Sequence, residues 1–201
     1  MTEMNLSGKK VAILVEKGFE QVELTEPKRA LERTGAETEI VSPAGNQVRA
    51  WNQSDWGDTM KVDVALDQAW PENYDALLLP GGLMDPDQLR RNQKAQQFVR
   101  HFFDTGKPVA AIGHGPWTLI DAGVVQGRKL TSYPSLQMDL KNAGAQWIDQ
   151  EVVVDRGLIS SRRPDDIPAF NRKMIEQFAE GPHPSSGQAA RQTGGQRGTS
   201  R

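Results

Sequence analysis

At 201 residues the chain has the length of one α/β domain and hardly of two, and it is large enough to bury a substantial core. Its 24 basic and 26 acidic residues leave a formal net charge of −2, so charge offers no case for nucleic acid or a membrane surface as the main partner. The absence of cysteine excludes disulfides, thiolate metal sites and thiol catalysis together.

The first strand is predicted over Lys10–Glu16, "KVAILVE". In the following "KGFEQVELTEPKRALERTGA", Leu24, Pro27 and Leu31 recur at helical spacing. Gly35 can close that helix, and Pro27 stands either early in it or at a kink. Glu37–Val41 reads as the second strand. "VRAW" and "MKVDV" are short strand candidates on either side of a polar turn, "NQSDWGD". Tyr74–Gly82, "YDALLLPGG", is a continuous apolar strand ending in a Pro-Gly-Gly turn, and unbroken apolarity predicts burial on both faces, as in a parallel sheet.

"DPDQLRRNQKAQQFVRHFFDTG" predicts a helix. Ala95, Phe98, Val99 and Phe102 form its buried stripe, Asn92 caps its main part and Gly106 closes it. Pro108–Ile112 is the next buried strand. Short helices follow at His114–Gly123 and Pro134–Gly144, then a hairpin over Glu151–Ser161 turning at Asp155-Arg156-Gly157. Ile167, Phe170, Met174 and Phe178 mark the last helix. The composition of residues 181–201 is Gly, Ser, Gln and Arg with almost nothing apolar, which predicts a disordered tail after one domain spanning residues 1–180.

The alternation of short apolar strands with helices predicts a three-layer α/β sandwich with a largely parallel sheet. Sites in such sheets form at the carboxyl ends of strands. "EKGFE", "PGGLMDPD" and "GHGPW" all lie at such ends. The apolar runs are too short to span a bilayer, and "MTEMNLSGKKVAILVE" lacks a secretory pattern, so a cytoplasmic protein is expected.

At Gly113 a strand turns sharply into a helix. A nucleophile mounted on such a turn is exposed and lies close to backbone N–H groups that stabilise an oxyanion. Glycine has no side chain to offer and is also the natural residue for a tight turn, so an ordinary turn and an active site without its reactive group both fit. His114 stands next to it. Glu20 and Glu23 share one face of the first helix, and Glu20 is the stronger candidate because it is nearest the turn after the first strand. Asp85 and Asp87 flank Pro86, where helix capping accounts for them equally well. His101 lies in a helix and His183 in the tail, both without a site around them. No metal-ligand spacing is present, the Gly81-Gly82 turn is not a phosphate loop, and no cofactor is expected.

Three segments, "EKGFEQVELTEPKRAL", "YDALLLPGGLMDPDQLR" and "GKPVAAIGHGPWTLIDAGVVQGRKLTSYPSLQMDLKNAGAQWIDQEVVVDRGLISSRRPDDIPAF", resemble the PfpI-like branch of the ThiJ/PfpI superfamily, over nearly all of residues 8–180. The resemblance implies a flavodoxin-like sandwich, a homodimer that often assembles to a hexamer, and activity as a cysteine peptidase, a methylglyoxal glyoxalase or a protein deglycase in general stress proteins. It implies small carbonyl compounds or peptides as substrates. It places the family's Ala-Ile-Cys-His-Gly-Pro motif so that the nucleophile falls on Gly113 and its histidine on His114. The proton-shuttling carboxyl then falls on Glu20, and an acid from an adjacent subunit on Asp87. The His114 and Gly115 amides, and one near Gly82, become oxyanion donors. With Gly113 in the nucleophile position the expectation is a catalytically impaired protein. The alternative is a natural non-catalytic protein that binds small carbonyls or anions in a chaperone-like role.

Overall fold

The structure, a computed structural model, describes residues 4–184. The chain runs through β1 (Lys10–Leu14), α1 (Gln21–Arg33), β2 (Glu37–Ser42), the hairpin strands β3 (Gln47–Asn52) and β4 (Asp55–Lys61), β5 (Val64–Ala65) and β6 (Ala76–Leu79). It continues with α2 (Met84–Leu89), α3 (Gln93–Asp104), β7 (Val109–Ile112), α4 (Pro116–Asp121), β8 (Lys129–Leu130), α5 (Gln137–Asn142) and β9 (Gln146–Trp147). The edge hairpin β10 (Val153–Asp155) and β11 (Leu158–Ser161) then leads into α6 (Ile167–Glu180).

Seven strands form one sheet in the order β10-β11-β7-β6-β1-β2-β5. Every neighbouring pair is parallel except β10 with β11. The continuous apolar runs are explained by the pleat, because successive residues supply opposite layers. Ala12, Leu14, Leu77, Leu79, Val109 and Ala111 pack with Phe98 and Phe102 of α3 and Leu119 of α4. Their alternates Val11, Ile13, Ala76, Leu78, Ala110 and Ile112 pack with Leu24 and Leu31 of α1 and with Phe170, Met174 and Phe178 of α6. The result is the expected three-layer sandwich with a largely parallel sheet. Among the described residues, no helix is long and apolar enough to cross a membrane.

Two local expectations are corrected, and one pair of strands is unanticipated. The helix expected from Asp85 to Gly106 is two helices, α2 and α3, because Asn92 leaves helical geometry and its Oδ1 accepts hydrogen bonds from Lys94 N at 3.0 Å and Ala95 N at 3.1 Å. Most of the stretch expected as a turn, "NQSDWGD", is strand. Only Gln53 and Ser54 lie between β3 and β4, and Trp51 meets Trp56 edge to face across the hairpin with ring centroids 5.5 Å apart. The pair β8–β9, two residues each, had no expectation at all. Of the expected tail, residues 185–201 lie outside the described residues.

Since Asn92 satisfies two first-turn amides of α3, Asn92→Ala is expected to lower stability by about 1 kcal/mol in urea denaturation, with little change in the denaturant slope.

Candidate functional site

The carboxyl ends of the adjacent strands β1, β6 and β7 release the chain into three loops that meet over the sheet. The β7 loop is an abrupt elbow. Gly113 takes φ +65°, a left-handed conformation that other residues adopt at a penalty. Its amide donates to Ser161 O at 3.1 Å and its carbonyl accepts from Tyr133 N at 2.8 Å, so the elbow is pinned from two sides.

Glu23 faces this elbow from α1. A Cβ on Gly113 would stand 2.7 Å from Glu23 Oε1 and 2.8 Å from Oε2. A Cβ on Gly81 in the β6 loop would collide with the same Oε2 and would stand 2.9 Å from His114 N. The Glu23 carboxyl therefore lies between two backbone turns that admit it only because both lack side chains. Its side chain is buried, and Oε2 has no hydrogen-bond partner. Burial, and then the nearby Glu20 charge, raise its pKa from an ordinary 4.5 to about 8, against the opposing pull of the Gly81 amide. The raised pKa keeps Glu23 largely protonated at neutral pH, able to donate a hydrogen bond.

Sequence spacing favoured Glu20 for this place, and the structure puts Glu23 there instead. Helical side chains lean toward the helix N-terminus, so a residue in the first turn of α1 reaches back over the strand ends. Glu20 precedes the helix in extended conformation and forms a bridge with Trp51. Its amide donates to Gly81 O at 2.9 Å and its Oε1 accepts from Gln53 N at 3.1 Å, tying the β3–β4 hairpin to the site. Burial raises the Glu20 pKa, and the Gln53 amide opposes that shift.

His114 stacks on Tyr133, with ring centroids 4.7 Å apart and planes 21° from parallel, and its Nε2 lies 3.3 Å from Ser135 Oγ. Burial lowers its pKa, which favours the neutral ring. Of the expected oxyanion donors, the Gly115 amide is already engaged, donating to Ile112 O at 2.9 Å. The His114 and Gly82 amides have no acceptor among the described residues. Asp87 is exposed on α2 and makes no hydrogen bond or ion pair with His114. Asp85, which looked like a helix cap, does something else. Fully buried, it accepts from Glu16 N at 2.5 Å and so fastens the loop after β1 to α2, and burial holds its carboxyl well above the usual range.

A mostly parallel sheet with an elbow at the end of a central strand, a buried acid beside it and a histidine following it directs the comparison with known proteins. The profile of the DJ-1/PfpI family matches residues 9–177. The chain belongs to the DJ-1/PfpI family. It is 44% identical over 169 residues to protein/nucleic acid deglycase 2 of Escherichia coli K12, covering 83% of this chain and 96% of that protein. It is 44% identical over 167 residues to a deglycase of Pyrococcus horikoshii, covering 83% and 98%. Among solved structures, DJ-1beta of Drosophila melanogaster superposes with a TM-score of 0.78 at 29% identity, over 85% of this chain and 90% of that one. Within this DJ-1/PfpI chain the elbow residue is a glycine, and no cysteine occurs anywhere in the sequence.

Two outcomes follow from the wedged carboxyl. The folded pKa of Glu23 lies above its unfolded value, so the stabilisation tied to its proton is complete below about 4.5 and is lost as pH rises to about 8. The slope is up to about 1.4 kcal/mol per pH unit, and the raised Asp85 adds a loss of the same sign. Urea denaturation from acid to mildly alkaline pH should show this decline, and Glu23→Gln should make it shallower while the Asp85 contribution remains. Gly113→Ala should lower stability by roughly 1–3 kcal/mol from backbone strain alone, with a further loss from displacing Glu23; an unchanged thermal midpoint would contradict the packing described.

Proposed function

We propose that this DJ-1/PfpI protein is a stress-response protein built on the scaffold of a cysteine hydrolase, glyoxalase or deglycase, with Gly113 in the nucleophile position, and that it holds small carbonyl compounds at the elbow without covalent turnover. The observation that carries this reading is the Glu23 carboxyl packed where a side chain at residue 113 would project. The relatives named as deglycases support the scaffold. Covalent carbonyl chemistry needs an atom that attacks carbon and leaves again, and a glycine elbow has none. Thr118 and Ser132 do not stand in for it. Thr118 is buried in α4, while Ser132 Oγ donates to Tyr133 O and accepts from Trp147 Nε1, each at 2.9 Å. What the elbow retains is recognition chemistry: the neutral Glu23 acid, the unengaged amides of His114 and Gly82, and the ring of His114. The reading includes self-association, with the exposed Asp87 contributed to the elbow of an adjacent subunit.

The protein as it stands is expected to consume no methylglyoxal above the uncatalysed rate, and Gly113→Cys is expected to gain consumption. Because a Cβ at 113 crowds Glu23, the pairing of Gly113→Cys with Glu23→Asp provides a second route to the same gain. Robust turnover by the unmodified chain would sink the proposal. No gain in either variant, with both folded, would overturn the assignment of residue 113 as the nucleophile position.

A further inference from the structure

β11 runs parallel to β7 with Ser161 opposite Ile112, and Ser161 O accepts from Gly113 N at 3.1 Å. The two strands therefore deliver Gly113-His114 and Arg162-Arg163 side by side at the carboxyl end of the sheet. The two arginines are held differently. Arg162 is saturated: its Nε and Nη2 donate to the two oxygens of Asp166 at 2.9 and 3.0 Å, and its Nη1 to Asp149 at 2.8 Å. Asp149 and Asp166 are committed by those contacts. Arg163 forms no ion pair with any described residue, the exposed Asp165 included, although its own carbonyl accepts from Asp166 N at 3.0 Å. Its Nε is buried without a hydrogen-bond partner. A buried guanidinium nitrogen left unsatisfied is unfavourable, and a carboxylate is the partner its planar fork matches best.

We propose that Arg163 is an anion-recognition residue of the elbow site, so that the compounds held there are small 2-oxo acids in preference to neutral carbonyls of the same size. The inference rests on the elbow being a carbonyl-binding site, as proposed above. The carbonyl oxygen would meet the Glu23 acid and the free amides, while the carboxylate meets the Arg163 guanidinium one strand away. Glu23 opposes an anion little at neutral pH, because its raised pKa keeps it largely protonated there. Glu20 has its carboxyl turned to Gln53 in the hairpin.

The matched probes are pyruvate and hydroxyacetone, which share a methyl ketone and differ in carrying a carboxylate or a hydroxymethyl group. Binding to the full chain is followed through the Gly113 and His114 amide signals in nitrogen-correlated NMR spectra. Pyruvate is expected to shift both signals and to bind roughly tenfold or more tightly than hydroxyacetone. Arg163→Gln should abolish that preference, Arg163→Lys should retain part of it, and Arg91→Gln, in the exposed α2–α3 turn, should leave it intact. A pyruvate preference that survives Arg163→Gln, or equal binding of the two probes, overturns the role of Arg163 while leaving the elbow as a carbonyl site. Pyruvate binding that depends on Arg163 but shifts neither elbow amide overturns its placement in this site. Failure of both probes to shift the amides overturns the elbow reading and this inference together.

Discussion

The carboxyl of Glu23, held between the backbones of Gly81 and Gly113, is the constraint on which the rest of the site depends. Burying a carboxyl is tolerable only if it is neutral or fully paired, and here one oxygen has no partner. The proton stays on because water is excluded and Glu20 stands nearby. Both turns must then be free of side chains, since a Cβ on either would press on the carboxyl. Three features that look independent in the sequence, an acid in the first turn of a helix and two turn glycines far apart in the chain, are therefore one packing unit.

That unit exists because the sheet brings three strand ends to one place. The alternation of core residues between two layers lets β1, β6 and β7 lie side by side with both faces covered, and only their carboxyl ends are free to form loops. Each loop is then fixed by contacts distant in sequence. Asp85 holds the β1 loop through the Glu16 amide, Glu20 holds the hairpin through Gln53, and Ser161 and Tyr133 hold the elbow through the Gly113 amide and carbonyl. Buried carboxyls stand at two of the strand ends, Glu23 and Asp85, and burial raises the pKa of both. The site thus gains rigidity from groups that hold it best while protonated.

The layers of the fold were legible because their signals are local. Unbroken apolar runs at Ala76–Leu79 and Val109–Ile112 can only be strands covered on both faces, and Asn92 marks a helix start by its own hydrogen-bonding capacity. The strands of the β3–β4 hairpin are legible in sequence but its turn is shorter than the residue types spell, because a tryptophan pair, with Lys17 and Arg49 over the Trp56 ring, stabilises the ends of both strands. β8 and β9 are too short to carry any period. Gly113 and His114 were found as an elbow from the strand-to-helix switch alone. Glu23 was passed over for Glu20 because nearness in sequence was weighed above the backward lean of helical side chains. The roles of Asp85 and Gly115 depend on partners, the Glu16 amide and the Ile112 carbonyl, that are visible only in three dimensions.

A glycine at a sharp strand-to-helix elbow suggests a gap, yet the packing around Gly113 leaves none. The Glu23 carboxyl occupies the space a side chain at residue 113 would need. The left-handed φ is relaxed by glycine, and the carboxyl is relaxed by the glycine's lack of a Cβ. Residues 23 and 113 are consequently coupled, and neither can be changed without altering what the other can accommodate. On the proposed reading, acquiring a nucleophile at this elbow is a two-residue problem, in which the acid must withdraw as the new side chain enters.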